Sequence, residues 1–191
     1  MIKKTILLLL ASILSSSVTY AYHAKSNFTE VQIHSLDELM ALFKAHKYTK
    51  KDWVSGNREV PRLTFDGVSE KWKKTSSKIP VQQKKQVFFR LMAPLVLISN
   101  EKILAEREIV KFSPADSKEL LAIAKKYHVL KGASANLTSE QRQQLLAKVD
   151  IMPASLALAQ AAEESGWATS RCTEEGNAFF GQWDFSGKGM I

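Results

Sequence analysis

The spacing of hydrophobic residues predicts a mainly helical chain. Its longest periodic stretch runs from Val81 to about Ile109, where apolar side chains recur every three or four residues, the repeat of one helix face. Pro80 suits the first turn of that helix. Pro94 lies in its interior and should kink or split it, because proline has no amide N–H and its ring meets the preceding turn.

Shorter helices are predicted on both sides of this stretch. Ser35 with Glu38, and Thr138 with Gln141, have the spacing of a capping box, in which the first side chain accepts a hydrogen bond from the backbone of the second. The predicted shorter helices are residues 36–46, 118–127, 138–148 and 153–165.

Residues 47–78 have no sustained repeat. They contain Gly56, Pro61 and Gly67, which are typical of turns, so the segment is predicted to be mostly loop. A short strand is predicted at Arg62 to Phe65, followed by a turn.

The last predicted helix begins at Pro153, ends before Gly166 and carries two adjacent glutamates in its final turn. With residues about 100° apart, Glu164 projects at the edge of an apolar stripe, one turn after Gln160, whereas Glu163 points into the polar arc. The stripe consists of Ala154, Leu158, Ala161 and Ala162.

Both the stripe and the helix dipole should disfavour a charged carboxylate at position 164, because desolvation and a helix C-terminus each destabilise negative charge. The sequence therefore predicts a raised pKa for Glu164, which is what a general acid needs near neutral pH. The alternative is an ordinary helix end whose glutamates are solvated.

The first residues have the pattern of a secretory signal. Lys3 and Lys4 precede an uncharged apolar run, and small residues lead to Ala21. We expect residues 1–21 to be a cleaved signal peptide, which leaves an exported protein without a stable membrane span; an uncleaved anchor is the alternative. The single cysteine, Cys172, allows no internal disulfide, and the four scattered histidines predict neither a metal site nor a cofactor.

The net charge of +8 is concentrated in the first half of the chain. Between Lys44 and Arg90 there are 13 Lys or Arg residues and 4 Asp or Glu residues. In an exported protein such a stretch favours anionic partners, such as cell-wall polymer or lipid headgroups, and not nucleic acid. A solvated basic surface without a partner is the alternative.

Aromatic and amide side chains follow the two glutamates. Aromatic rings beside an acid, interleaved with amides, are typical of sugar sites, although core aromatics give the same pattern. The candidate sugar contacts are Gln160, Trp167, Asn177, Phe179, Gln182 and Trp183.

The order of these residues is more specific than their composition. The stretch "PASLALAQAAEESGWATSR…EGNAFFGQW" resembles the glucosaminidase family of peptidoglycan hydrolases, in particular its Bax-type exported members in Gram-negative bacteria. The segment "KKQVFFRLMAPLVLISNEKILAERE" is similar to their upstream helix. The resemblance extends over residues 61–183, with Ala168 at a family glycine and Ala178 at a family asparagine.

The resemblance implies a lysozyme-like, mainly α fold and cleavage of the β-1,4 bond at N-acetylglucosamine, with Glu164 as general acid. Asp184, Glu174 and Glu175 are candidates for a second catalytic group. The expected organisation is a signal peptide at 1–21, a basic N-terminal extension at 22–78 and a glucosaminidase domain at 79–191. That domain is expected to be incomplete, because the chain ends about where the family's second, β-containing lobe begins.

We therefore expect a periplasmic, monomeric peptidoglycan hydrolase that acts on glycan strands. Two alternatives stay open. The first is a non-catalytic wall-binding protein, or an inactive fragment, that lacks the second lobe. The second is an amidase acting on the peptide stem, although the absence of clustered histidines argues against the usual zinc mechanism.

Overall fold

The computed structural model describes residues 28–66 and 72–181. In these residues it contains eight helices and two short strands, which confirms the mainly α fold. The predicted signal peptide (1–21), Gln182, Trp183 and Asp184 lie outside the described residues. None of the described helices is both long and apolar enough to cross a membrane.

The elements follow one another in the order β1, α1, α2, β2 and then α3 to α8. Strand β1 is Thr29–Val31 and β2 is Leu63–Phe65. The helices are α1 Leu36–Ala45, α2 Lys50–Val54, α3 Trp72–Ser76, α4 Val81–Phe112, α5 Lys118–Lys126, α6 Ser139–Lys148, α7 Ala154–Glu164 and α8 Arg171–Gly176.

The described residues form two compact units. Residues 100–151 are one, here called the inserted unit because it interrupts the other in sequence. Residues 28–99 and 152–181, apart from the undescribed 67–71, are the motif unit, which contains all the described candidate site residues.

The inserted unit packs α5 and α6 around fully buried aliphatic side chains, among them Leu120, Leu145 and Val110. Arg142 reaches the end of α4, where its guanidinium donates to the carbonyl oxygens of Val110 at 2.5 Å and Ser113 at 2.8 Å. The last carbonyls of a helix have no partner within the helix, so this arginine replaces the missing donors.

The motif unit contains a two-stranded parallel sheet in which Thr29 pairs with Leu63. Helix α1 buries Leu39 and Phe43 against Val87 of α4, in a cluster that also includes Tyr48. Arg90 of α4 donates to the backbone carbonyl of Tyr48 at 2.8 Å.

Residues 47–78 differ from the prediction. The predicted strand is confirmed, but two five-residue helices, α2 and α3, lie where loop was predicted. A five-residue helix is too short to show a repeat. Helix α2 is instead started by a capping box between Thr49 and Asp52.

Two helix-level predictions are correct only in part or untested in part. Helix α4 continues through Pro94, so of the predicted kink or split the split is wrong. At α1, the Ser35 hydroxyl accepts from the Glu38 amide at 3.2 Å, but the Glu38 carboxylate accepts from His34 at 3.0 Å and not from Ser35. The capping box predicted there is therefore only half formed, whereas the box at Thr138 and Gln141 is complete.

Candidate active site

Helix α7 is fixed in the motif unit by small side chains. Ala161 and Ala162 are buried against Phe88 and Met92 of α4. Because alanine has only a methyl side chain, the two helices can approach closely along this face. Of the predicted apolar stripe, Ala161 and Ala162 are buried, whereas Ala154 and Leu158 are half-buried. Ala157, outside the predicted stripe, is also buried, and this packing fixes the end of α7, which carries Glu164.

A left-handed turn follows Glu164. Gly166, Trp167 and Ala168 have φ angles of 56°, 62° and 63°. The left-handed conformation costs a residue with a Cβ roughly 1–2 kcal/mol, so surrounding contacts must hold Trp167 and Ala168 in place.

Two side chains supply those contacts. The hydroxyl of Ser165, which is fully buried, donates to the Ala161 carbonyl at 2.5 Å and accepts from the Ala168 amide at 3.0 Å. The Trp72 indole N–H donates to the Trp167 carbonyl at 3.2 Å. The turn is therefore closed by one residue of the motif and by one residue from helix α3, far away in sequence.

Aromatic rings pack beside this turn. The centroid of the Phe88 ring lies 5.4 Å from that of Trp167 and 6.4 Å from that of Phe179. The Phe89 ring contacts Trp167 from another side at 5.3 Å, and the Lys85 ammonium lies 4.9 Å from the Trp167 ring centre. Trp167 and Phe179 are both partly exposed, so each ring retains surface that a ligand can contact.

Glu164 is exposed at the end of α7, and its carboxylate accepts two hydrogen bonds. Gln160, one turn earlier, donates its side-chain amide to Oε1 at 2.9 Å. The backbone N–H of Gly181 donates to Oε2. The Gly181 bond joins the two halves of the motif, which are residues 153–171 and 175–183 of the sequence.

The prediction of a raised pKa for Glu164 in an apolar environment is wrong. The pKa of Glu164 is held below the ordinary glutamate range, first by the Gly181 N–H and second by the Gln160 amide, both of which favour the charged form. The helix pattern placed the residue correctly at the edge of the stripe. It placed Gln160 one turn away but gave no sign of the Gly181 N–H, and the exposed side chain agrees with the alternative of a solvated helix end.

Position 181 leaves little room for a side chain. A Cβ there would lie 3.3 Å from Oε2 of Glu164, closer than an ordinary contact. Glycine therefore allows the backbone to approach the carboxylate. Sequence reasoning missed Gly181, although it follows directly after the aromatic pair of the motif.

The other candidate residues have varied surroundings. Asn177 is exposed and ends α8 in the left-handed conformation at φ 51°. Asn177 and Phe179 line a cavity of the motif unit to which Glu164 does not contribute. Among the candidate second carboxylates, Glu174 pairs with Lys73 at 3.4 Å, and Glu175 pairs with Arg171 at 3.3 Å. In the described ranges no three His, Cys, Asp or Glu side chains converge as metal ligands would.

Comparison with known proteins agrees with the motif. Residues 139–189 match the glucosaminidase family model, described as mannosyl-glycoprotein endo-beta-N-acetylglucosaminidase. The chain is 35% identical over 112 residues to Protein bax of Escherichia coli (strain K12). The alignment covers 55% of this chain and 40% of that relative, so the chain spans less than half of the relative's length. No solved structure matches the chain significantly.

The family model indicates a peptidoglycan-related glycosidase family. The residues of this chain that match it include both Glu164 and Gly181. Together with the relative, it confirms the resemblance that the motif predicts: the chain is similar to the glucosaminidase family over residues 139–189 and to a Bax protein over 112 residues.

Proposed function

We propose that this protein is a peptidoglycan hydrolase of the endo-β-N-acetylglucosaminidase type, in which Glu164 protonates the departing glycosidic oxygen. The observation that carries this proposal is the meeting of the two motif halves at one exposed carboxylate, where Gly181 and Gln160 both donate to Glu164. Two donors fix the direction of the carboxylate, and a reacting group needs a fixed direction.

Because the pKa of Glu164 is lowered in the free protein, its carboxylate must take up a proton from solvent when the substrate binds. In the free protein the carboxylate is ionised at neutral pH. A glycan strand lying over it would remove water and disfavour the charged form, which raises a carboxyl pKa. We therefore assign the acid role to the glycan complex, in which the carboxyl group is covered.

Side chains of the motif that carries Glu164 are of the kinds that bind sugars. Trp167 and Phe179 have partly exposed rings for the faces of pyranose rings, and Gln160 and Asn177 have amides for hydroxyl or acetamido groups. Gln182 and Trp183 join this set on sequence grounds alone. Export to the periplasm and docking of the basic stretch on anionic wall material complete the proposal.

The test is digestion of purified sacculi by the wild-type chain and by two variants, Glu164→Gln and Glu163→Gln. Glutamine keeps the shape of the side chain and still accepts from Gly181, but it has no acidic proton. We expect Glu164→Gln to abolish the release of soluble fragments with unchanged helical circular dichroism, whereas Glu163→Gln, the matched control, releases them normally.

The fragments also identify the bond that is cut. Mass spectra should show new reducing ends at N-acetylglucosamine, whereas release of free peptide stems would show an amidase. Retention of lysis in Glu164→Gln would rule out the acid role.

The second candidate is a wall-binding protein without catalysis. The exposed, ionised Glu164 of the free protein favours it, because a carboxylate with a lowered pKa is a poor proton donor. In that case sacculi would retain the wild-type protein in a pull-down and release no fragments, and Glu164→Gln would bind as well as wild type.

A further inference from the structure

The motif unit contains a cavity of about 510 Å³ that shares Asn177 and Phe179 with the proposed sugar contacts but that Glu164 does not line. Its size lies within the range of roughly 300–1,000 Å³ that is typical of small-molecule sites. Its lining comes from β1, the start of α1, the end of β2, α3, α4 and the segment around Phe179. Glu164, Gln160 and Trp167 do not line it.

Most of the lining is apolar. Aliphatic side chains, such as Leu91 and Leu95 of α4, share it with the aromatic residues Trp72, Phe88 and Phe179. Leu91 and Leu95 lie one helical turn apart on the same face and are only partly buried. An apolar ligand would cover surface that water now reaches, which is the usual driving force for binding in such cavities.

Among the described residues, the titratable side chains that line the cavity are two carboxylates and the imidazole of His34. Asp37, in the first turn of α1, and Asp66, after β2, both line it and are both exposed. No lysine or arginine among the described residues lines it, although Lys44 to Arg90 is strongly basic. The cavity therefore differs in charge from the chain around it.

We propose that this cavity is a binding site for a small organic cation, namely an ammonium group attached to an apolar body. Asp37 and Asp66 are exposed carboxylates in the lining that supply the opposite charge, and aromatic rings attract cations through their faces. The same carboxylates disfavour fatty acids and other anionic amphiphiles. The proposal does not depend on hydrolysis at Glu164.

The test compares three probes with the same eight-carbon chain: octyltrimethylammonium, octanol and octanoate, each below its micelle-forming concentration. The affinities are measured by isothermal titration calorimetry of the full chain, all at pH 8. We expect the cation to bind about tenfold more tightly than octanoate, with octanol between them, which corresponds to modest attraction from two partly solvated carboxylates. Equal binding of the cation and the anion, or no binding of the cation, would overturn the proposal.

Two pairs of variants locate the site. Leu91→Trp should fill the cavity and abolish binding of the cation, whereas Leu91→Met, which conserves volume, should keep it. Asp37→Asn should weaken the cation several-fold and leave octanol unchanged, whereas Glu38→Gln, a neighbour that does not line the cavity, should change neither. If Leu91→Trp does not fold, the comparison of Asp37→Asn with Glu38→Gln still tests the proposal, because both positions are exposed and their variants should fold.

Separate experiments distinguish this site from the proposed active site. Glu164→Gln should bind octyltrimethylammonium as wild type does, whether or not the chain cleaves glycan. Displacement of the probe by an N-acetylglucosamine tetramer would show that the cavity belongs to the glycan groove, and the proposal of a separate cation site would then be wrong.

Discussion

The packing of Phe88 links the fold to the candidate site. Phe88 belongs to α4, and its side chain is 2% exposed. It packs against α7 and against Phe179. Replacing Phe88 by alanine would leave a void beside Ala161 and remove the ring that supports Trp167 and Phe179. We expect this single change to lower stability and to loosen the aromatic wall of the site.

The expected loss can be estimated from these contacts. Truncation of a buried phenylalanine to alanine typically costs about 3–5 kcal/mol through lost burial and the cavity that remains. Ring pairs such as those with Trp167 and Phe179 add about 0.5–1.5 kcal/mol beyond the buried area. Since ring contacts already contribute to the measured range, we expect a decrease of about 4 kcal/mol in the free energy of unfolding.

Phe89 is the matched control for this measurement. It is the next residue on the same helix, its side chain is 38% exposed, and it contacts the same tryptophan. Urea denaturation followed by circular dichroism should give a loss for Phe89→Ala of about 1 kcal/mol, because little apolar area leaves water there. Phe88→Ala should also shift the emission of Trp167 to longer wavelength. Equal losses for the two variants would refute the packing account.

Three further predictions concern stability and titration. Arg142→Ala, which removes the donors to Val110 and Ser113 at the end of α4, should lower the free energy of unfolding by about 2–3 kcal/mol, as measured in urea. Burial raises the pKa of Tyr48 to about 12. The stability that the protonated Tyr48 contributes is therefore complete below the ordinary tyrosine pKa and is lost as the pH rises towards 12. Tyr48→Phe should remove one late step from the tyrosinate absorbance titration. Gly181→Ala should disturb the Glu164 carboxylate and raise the pKa of Glu164 towards the ordinary glutamate value in an NMR titration, because a Cβ at position 181 leaves too little room for the N–H bond.

Sequence alone predicted the parts of the fold that depend on local pattern. Helices α4 to α7 were predicted close to their observed bounds, because their apolar repeats and capping residues lie within each helix. The short helices α2 and α3 were missed, since five residues show no repeat. Pro94 was predicted to kink or split α4, yet the helix continues through this buried residue.

The candidate site, like the fold, was predicted correctly only where it depends on local sequence pattern. The position of Glu164 at the end of α7 and next to Gln160 follows from helical spacing. The Gly181 N–H, which lowers its pKa most, does not follow, and neither does the Trp72 indole N–H that closes the next turn. Both residues are distant in sequence from Glu164, and backbone and indole N–H groups leave no mark in a residue pattern. Helical periodicity can place a carboxylate on a face, but it cannot say what faces that carboxylate.

The most direct test of the central claim is the pKa of Glu164 measured by NMR, from its side-chain carboxyl signal, in the free protein and with an N-acetylglucosamine tetramer bound. The account predicts a value below the ordinary glutamate range in the free protein and a clear rise when the sugar covers the carboxyl group. A pKa that is the same in both states, or already raised without sugar, would contradict it.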